Sequence, residues 1–312
     1  MRPSPSRERA IAPVAPGVLL LALLLNLFLG ATYFATKKAL LGLPELSLVA
    51  VRTAVALALL VPLAGVPTLR GIVRAGRPTW LRILAMGGLG YALPLALGNY
   101  GVALSNASRA SLLIGIEPIC VAALGSLWLG ERLSALRLGA LAAGLTGATT
   151  IVSNGIPFRG GWDTSQLAGD LLLIAHGAAW SIYTIAGKSL LGRFPPLALT
   201  AASLAVAFPL LLPVAAWELP HLERGPALLP ALGWAVALGL FASALGTVAW
   251  NHALARMDAS TLAGFVFLQP VAGVLLGHYA LGEELRPEAI AGGALVLAGV
   301  YLLVWEARRQ GL

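Results

Sequence analysis

The sequence predicts an all-α integral membrane protein, with ten transmembrane helices arranged as two inverted five-helix repeats around a central cavity. Three observations carry that expectation. Hydrophobic residues make up 58% of the 312 residues and charged ones only 11%, with a mean hydropathy of +0.85, far outside the range of a water-soluble domain. The second half of the chain repeats the first. Basic residues collect on one side of the apolar segments.

A helix needs about 20 apolar residues to cross a hydrocarbon core of ~30 Å. Such stretches lie at 15–36, 45–64, 79–103, 107–129, 135–153, 168–189, 196–216, 229–255, 260–281 and 287–306. The repeat is read by direct alignment. Tyr33, Lys38, Leu40, Leu41 and Gly42 recur at an offset of 150 as Tyr183, Lys188, Leu190, Leu191 and Gly192. Pro44, Leu48 and Pro62 recur at 151 as Pro195, Leu199 and Pro213. Gly87, Asn99, Ala107, Ser108, Pro118, Gly130 and Glu131 recur at 152 as Gly239, Asn251, Ala259, Ser260, Pro270, Gly282 and Glu283. An offset that drifts by only two residues is the mark of duplication. Each copy holds an odd number of spans, so the second enters the bilayer from the opposite side and lies inverted. The expected organisation is a tail at 1–14, a first repeat at 15–153, a loop at 154–167, a second repeat at 168–306 and a tail at 307–312.

A net charge of +8 and a pI of 10.2 could suggest nucleic acid, but the placement of the charges argues otherwise. With loops assigned alternately to two sides, the side of the termini collects Arg2, Arg7, Arg9, Arg70, Arg74, Arg77, Arg82, Arg132, Arg137, Lys188, Arg193, Arg256, Arg308 and Arg309. The other side collects Lys37, Lys38, Arg109, Arg159, Arg224 and Arg286. Fourteen against six is the positive-inside bias, and both termini are expected in the cytoplasm. The basic N-terminus and its apolar run lack an A-x-A-like cleavage site, so the first span is expected to stay as an anchor. A single cysteine, Cys120, excludes an intrachain disulfide.

A charged group at mid-span is costly and usually faces a protein interior or a water-filled path. Glu117 is the clearest case, ten residues into the stretch 107–129. Its neighbour Pro118 has no amide N–H, which is expected to kink the helix and leave the Ile114 carbonyl exposed. The repeat mates are Gln269 and Pro270, with the Val266 carbonyl in the equivalent position. Glu117 is a candidate for proton coupling or for holding an amino group; a carboxyl that merely ties two helices together is the plainer alternative. Arg52 also sits inside a span, opposite the neutral mate Ser203, and is expected to pair with Glu45 or with helix-end carbonyls. Lys38 and Lys188 read as mates that snorkel to opposite faces.

Polar side chains gather on the first, third, fourth, sixth, eighth and ninth spans, whereas the second, fifth, seventh and tenth are nearly all aliphatic or small. The former are expected to wall the cavity and the latter to face lipid. Cavity candidates are Tyr33, Tyr100, Glu117, Trp180, Tyr183, Trp250, Asn251, His252 and Gln269. In the eighth span Ser243, Thr247, Trp250 and Asn251 share one face by their three- and four-residue steps. His176 and His252 read as helix-bridging hydrogen bonders rather than as ligands or proton carriers. The Leu-Gly-Glu tripeptides at 129–131 and 281–283 are expected to close the fourth and ninth spans, with glycine turning the chain and the glutamate seated on a helix N-terminus. Gly139 with Ala143, Ala140 with Gly144, and Ala294 with Ala298 are small-xxx-small pairs for close helix packing.

No His, Cys, Asp or Glu cluster has metal-ligand spacing, so neither metal nor cofactor is expected. There is no G-x-x-x-x-G-K-[ST] loop for a nucleotide-driven pump and no H-E-x-x-H or G-x-S-x-G for a membrane enzyme. A channel is the other rival class, and it would conduct faster than alternating access allows.

The chain resembles the drug/metabolite transporter superfamily in its ten-helix branch of duplicated EamA domains. The resemblance rests on Asn26 to Gly42 followed by Pro44 and Arg52, on the interval from Pro118 to Leu129-Gly130-Glu131, and on its copy from Pro270 to Leu281-Gly282-Glu283. It covers residues 17–306 and is most similar to the YddG-type exporters of amino acids and metabolites. It implies a bacterial inner-membrane exporter working by alternating access without ATP. The expected partners are a small-molecule substrate and the lipid bilayer, with no nucleic acid, and the expected state is a monomer. Amino acids, aromatic ones included, are the leading substrates, because one anion among neutral donors suits a zwitterion. Drugs, nucleosides and sugars are the alternatives.

Overall fold

The computed structural model describes residues 14–104, 113–131, 133–153, 164–222, 225–281 and 287–309. Within them the chain is helical, with no strand. The Ser105–Ser108 turn, the Gly282-Glu283 pair, residues 154–163 of the inter-repeat loop, most of the N-terminal tail and the last three residues of the C-terminal one lie outside the described residues. The ten spans are Pro16–Ala39, Glu45–Ala64, Arg77–Leu104, Ile116–Leu129, Ala135–Ser153, Thr164–Leu191, Pro196–Glu218, Leu228–Leu254, residues 259–281 and Pro287–Arg309. Six of them, the first, second, third, seventh, eighth and tenth, are long and apolar enough to cross a membrane unaided. The fourth, fifth and ninth are shorter apolar helices. Proline starts several of them: Pro16 and Pro196 stand in a first turn, where the missing N–H costs nothing. Lys37, Lys38, Lys188, Arg308 and Arg309 fall in last turns, where the helix dipole favours a cation.

Packing follows the duplication. The second span lies on the seventh and the fifth on the tenth, so each pairs with its own repeat mate. The first span packs on the eighth and ninth as the sixth packs on the third and fourth, and the second touches the eighth as the seventh touches the third. Contacts that interchange in this way are those of a twofold relation between the copies. Five spans per copy make that relation an inversion across the membrane.

Helix approach is set by glycine. A Cβ on Gly90 would come within 2.5 Å of the Tyr183 backbone nitrogen, so the third and sixth spans touch main chain to main chain. In the fifth–tenth pair a Cβ on Gly147 would meet the Gly292 carbonyl at 2.6 Å, and one on Gly299 the Ala140 carbonyl at 2.7 Å. Ala140 and Gly144 thus face inward as expected, whereas Gly139 of the other expected pair is exposed to open space, Ala294 and Ala298 turn outward, and Gly292, Val296 and Gly299 take the inner face of the tenth span. Leu20, Leu24, Phe28, Trp128, Trp217, Leu229, Phe241 and Tyr301 are exposed, an apolar coat suited to lipid.

Two features differ from the sequence expectation. Residues 66–73, expected as a loop, form a short helix (Val66–Val73) that begins after Gly65 at φ 75°, buries Ile72 and leaves Arg70 and Arg74 at its rim. Its two arginines hid its one-sided apolar pattern. The third and eighth spans also widen into π-helix at Ala85–Ala92 and Leu238–Gly246, equivalent positions in the two copies. A further π turn, Gly125–Leu129, ends at Gly130, whose φ of 71° is the left-handed turn expected of the Leu-Gly-Glu glycine.

Candidate substrate cavity

Where the repeats meet, the spans enclose a cavity of about 110 Å³. A single water requires roughly 10–15 Å³, so the space suits a small solute. Its walls come from the first span (Leu29, Thr32, Tyr33, Thr36), the third (Tyr91, Leu95, Gly98, Asn99, Val102) and the fourth (Ile114, Glu117). The sixth adds His176 and Trp180, the eighth Ala242, Ser243, Gly246, Thr247 and Trp250, and the ninth Val266 and Gln269. The second, expected to face only lipid, contributes Arg52. Residues 29–36 and 91–102 occupy the halves of their spans away from the termini, so the cavity extends from mid-membrane toward that opposite side. Trp250, near the terminus-side end of the eighth span, floors it.

Five of the nine candidates line this space: Tyr33, Glu117, Trp180, Trp250 and Gln269. Glu117 is 1% exposed, and among the described residues its Oε1 has no hydrogen-bond partner; Trp250 Nε1 is also buried and, among the same residues, unpartnered. Gln269 donates to Asn26 Oδ1 at 3.3 Å, and Asn26 donates to the Ala22 carbonyl at 2.9 Å. The helix does break before Pro118 and Pro270, but the carbonyls are occupied. The Glu117 amide donates to the Ile114 carbonyl at 2.8 Å, and the Leu268 amide turns back to those of Phe265 and Val266. Each break tightens into a short turn, so what it presents to the cavity is a side chain and not a bare carbonyl.

The other four candidates lie elsewhere. Tyr183 is fully buried behind Trp180, stacked on it at 5.3 Å. Asn251 donates to the Tyr183 hydroxyl and to Thr200 Oγ1, both at 2.8 Å, so the pair ties the sixth, seventh and eighth spans together beneath the wall. His252, next along the helix and so rotated by about 100°, points outward and is exposed. Tyr100 turns toward Glu218, donating to its Oε1 at 3.3 Å, and not into the cavity.

His176 bridges helices as expected and lines the cavity as well. Its Nδ1 donates to the Pro94 carbonyl at 2.6 Å, bridging the sixth and third spans, while the ring faces the cavity. Arg52 corrects the expected pairing. Its Nε donates to Ser243 Oγ at 2.8 Å, and among the described residues it forms no ion pair with Glu45 or any other carboxylate. The lysine mates shift by one residue. Lys37 donates to the Val102 carbonyl at 3.0 Å as Lys188 donates to that of Leu254 at 2.8 Å, while Lys38 lies over the Phe34 ring.

On the terminus side a polar cluster joins the copies. Glu131 accepts from the Ala259 amide at 2.7 Å, the Ser260 amide at 3.1 Å and the Ser260 hydroxyl, all at the N-terminus of the ninth span. The sequence pointed to the next helix in the chain; the fold supplies one from the other repeat. Arg137, 1% exposed, pairs with Asp258 at 3.2 Å and Glu306 at 3.8 Å and donates to Ser260 Oγ at 2.9 Å. Burial and the charge of Glu131 push the Asp258 carboxyl up, outweighing Arg137 and Lys188.

A helical membrane protein of two inverted repeats around a mostly apolar cavity with a few polar groups in its wall has the build of a transporter. The comparisons agree: residues 16–153 and 167–305 each match the EamA-like transporter family, and the chain belongs to that family. A probable terminal-alkyne amino-acid exporter of Streptantibioticus cattleyicolor is 33% identical over 63% of this chain, a match spanning just under two thirds of that protein (64%). An uncharacterized transporter of Archaeoglobus fulgidus is 29% identical over 75% of this chain and 79% of its own length. A solved protein crystal structure superposes with a TM-score of 0.73 over 92% of this chain and 97% of that one, at 19% identity, a likeness of fold.

Proposed function

We propose that this chain exports amino acids from the bacterial cytoplasm across the inner membrane, as a monomer with both termini inside. The cavity then points outward, and the cytoplasmic end is the one closed by the Glu131–Arg137–Asp258 cluster. Transport proceeds by rocking of the two five-helix bundles about Glu117 and Gln269, without a nucleotide or cofactor.

The observation that carries this reading is Glu117: a buried carboxyl with an oxygen unpartnered among the described residues, on the wall of a small cavity, at a helix break. Leaving such a group unsatisfied costs about 1–3 kcal/mol or more, which a bound cation or donor offsets. A proton or a substrate ammonium fills the same role, and the two compete for one carboxylate. A carrier that exchanges one for the other across the membrane lets protons moving inward drive amino acids outward. The similarity to a protein named as a probable amino-acid exporter supports the substrate class.

Counterflow of labelled amino acids in proteoliposomes, with and without a pH gradient, tests the reading. Uphill accumulation of an amino acid set by the gradient is the expected result. Flux of nucleosides, sugars or lipophilic drugs with none of amino acids would overturn it.

A further inference from the structure

Arg52 and Glu117 both line the cavity, both are buried (7% and 1% exposed), and neither is in an ion pair among the described residues. Opposite charges held apart in a medium of low dielectric each remain poorly compensated. A solute carrying one charge answers one of them and leaves the other bare; a dipolar solute answers both.

The duplication argues that the two charges belong to the cavity and not to the scaffold. The mate of Arg52 is Ser203, which donates to the Thr200 carbonyl at 2.9 Å within its own helix, and the mate of Glu117 is Gln269. The second–seventh helix pair is therefore built with a cation in one copy and a small neutral residue in the other. The second and seventh spans pack on one another with that cation present in one of them only, so their packing does not require a matched pair.

Geometry also fixes how the guanidinium is presented. Ser243, from the π segment of the eighth span, holds Nε at 2.8 Å. That leaves the two terminal nitrogens, with no partner among the described residues, for a ligand. A guanidinium tethered at Nε with its terminal nitrogens free offers parallel N–H donors to a carboxylate.

We infer that Arg52, oriented by Ser243, binds the substrate's carboxylate while Glu117 binds its ammonium, so the cavity selects α-amino acids over amines and over acids. This rests on the amino-acid reading above and names the residue that enforces it.

The test uses the full chain in proteoliposomes with L-phenylalanine as transported probe and phenethylamine, which lacks the carboxylate, as competitor. In Arg52→Gln, half-saturation for phenylalanine should rise at least about tenfold, while inhibition by phenethylamine stays within about twofold of wild type; Arg52→Lys should restore part of the affinity. Ser243→Ala, which keeps the charge and frees its orientation, should weaken phenylalanine and not phenethylamine. Retained phenethylamine inhibition reports that the variant is folded. Equal loss of both compounds in Arg52→Gln and Arg52→Lys, or no change in either, overturns this inference while wild-type phenylalanine flux leaves the amino-acid reading standing. Absence of amino-acid flux in the wild type overturns that reading and this inference with it.

Discussion

At the scale of single residues, burial separates side chains that meet the solute from those that hold the wall. Glu117→Gln keeps the volume and removes the titratable oxygen, so flux should persist down a concentration gradient while its response to a pH gradient disappears; unchanged pH dependence would sink the coupling role. Trp180 lines the cavity, whereas Tyr183 lies behind it with its hydroxyl held by Asn251. Trp180→Ala should therefore raise half-saturation severalfold or more, and Tyr183→Phe should leave it within about twofold while costing about 0.5–1.5 kcal/mol of stability from the lost hydrogen bond. Initial-rate transport and thermal denaturation in detergent read the two effects apart. Composition marked both residues as polar groups in apolar helices, and that was legible. Which of two nearby residues on one helix faces in was not, because the direction of the cavity is set by how the helices pack and not by the composition of any one of them. His252 was lost because it stands one residue, about 100°, past Asn251 on the same helix. Arg52 was found as an anomaly, but its partner needed the eighth span, and no spacing in the sequence brings Ser243 to it.

At the scale of elements, the helices were read from hydropathy to within a few residues, apart from the fourth, whose expected start at 107 lies outside the described residues, since twenty apolar residues have few alternatives to crossing a bilayer. The pairing of elements was not. The match of Gly87 with Gly239 told that the copies share a feature, but the π segments that contain them depend on backbone geometry that composition does not encode. Glycine contacts between spans make a sharper prediction. Gly90→Ala improves intrinsic helix propensity by up to about 1 kcal/mol, yet its new methyl would stand 2.5 Å from the Tyr183 backbone. Main chain cannot move aside as a side chain does, so the variant should be destabilised by about 1–3 kcal/mol, seen as a lower thermal midpoint. Gly139→Ala, in the fifth span with open space around it, supplies the control and should be neutral or slightly stabilising.

At the scale of the whole molecule, duplication gives two ends of similar build, and the clusters decide which is closed. The cavity reaches away from the termini, and the terminus-side end is joined across the repeats by Glu131 on the ninth span and by Arg137 on Asp258 and Glu306. Arg137→Ala leaves the buried Glu306 and the half-buried Glu131 and Asp258 without their cation and should cost about 3–5 kcal/mol. The sign of the pH effect follows from Asp258, whose raised carboxyl is protonated more readily in the folded chain than in the unfolded one. Its contribution is therefore fully present in acid and is lost as pH rises from the usual carboxylate range through the raised value; Asp258→Asn should flatten that slope. Glu131→Gln tests whether the cluster also governs access. The amide keeps one acceptor but gives up charge-assisted bonds to two backbone amides and a hydroxyl, roughly 1.5–3 kcal/mol each when intact. Weakening them stabilises nothing on the opposite side, so the population should move toward opening at the termini. A Thr32→Cys reporter on the cavity wall, in a Cys120→Ser background, should then react more slowly with an impermeant maleimide applied from the side opposite the termini. An unchanged labelling rate in Glu131→Gln, with the protein still folded, would show that the cluster seals the fold without controlling which way the cavity faces.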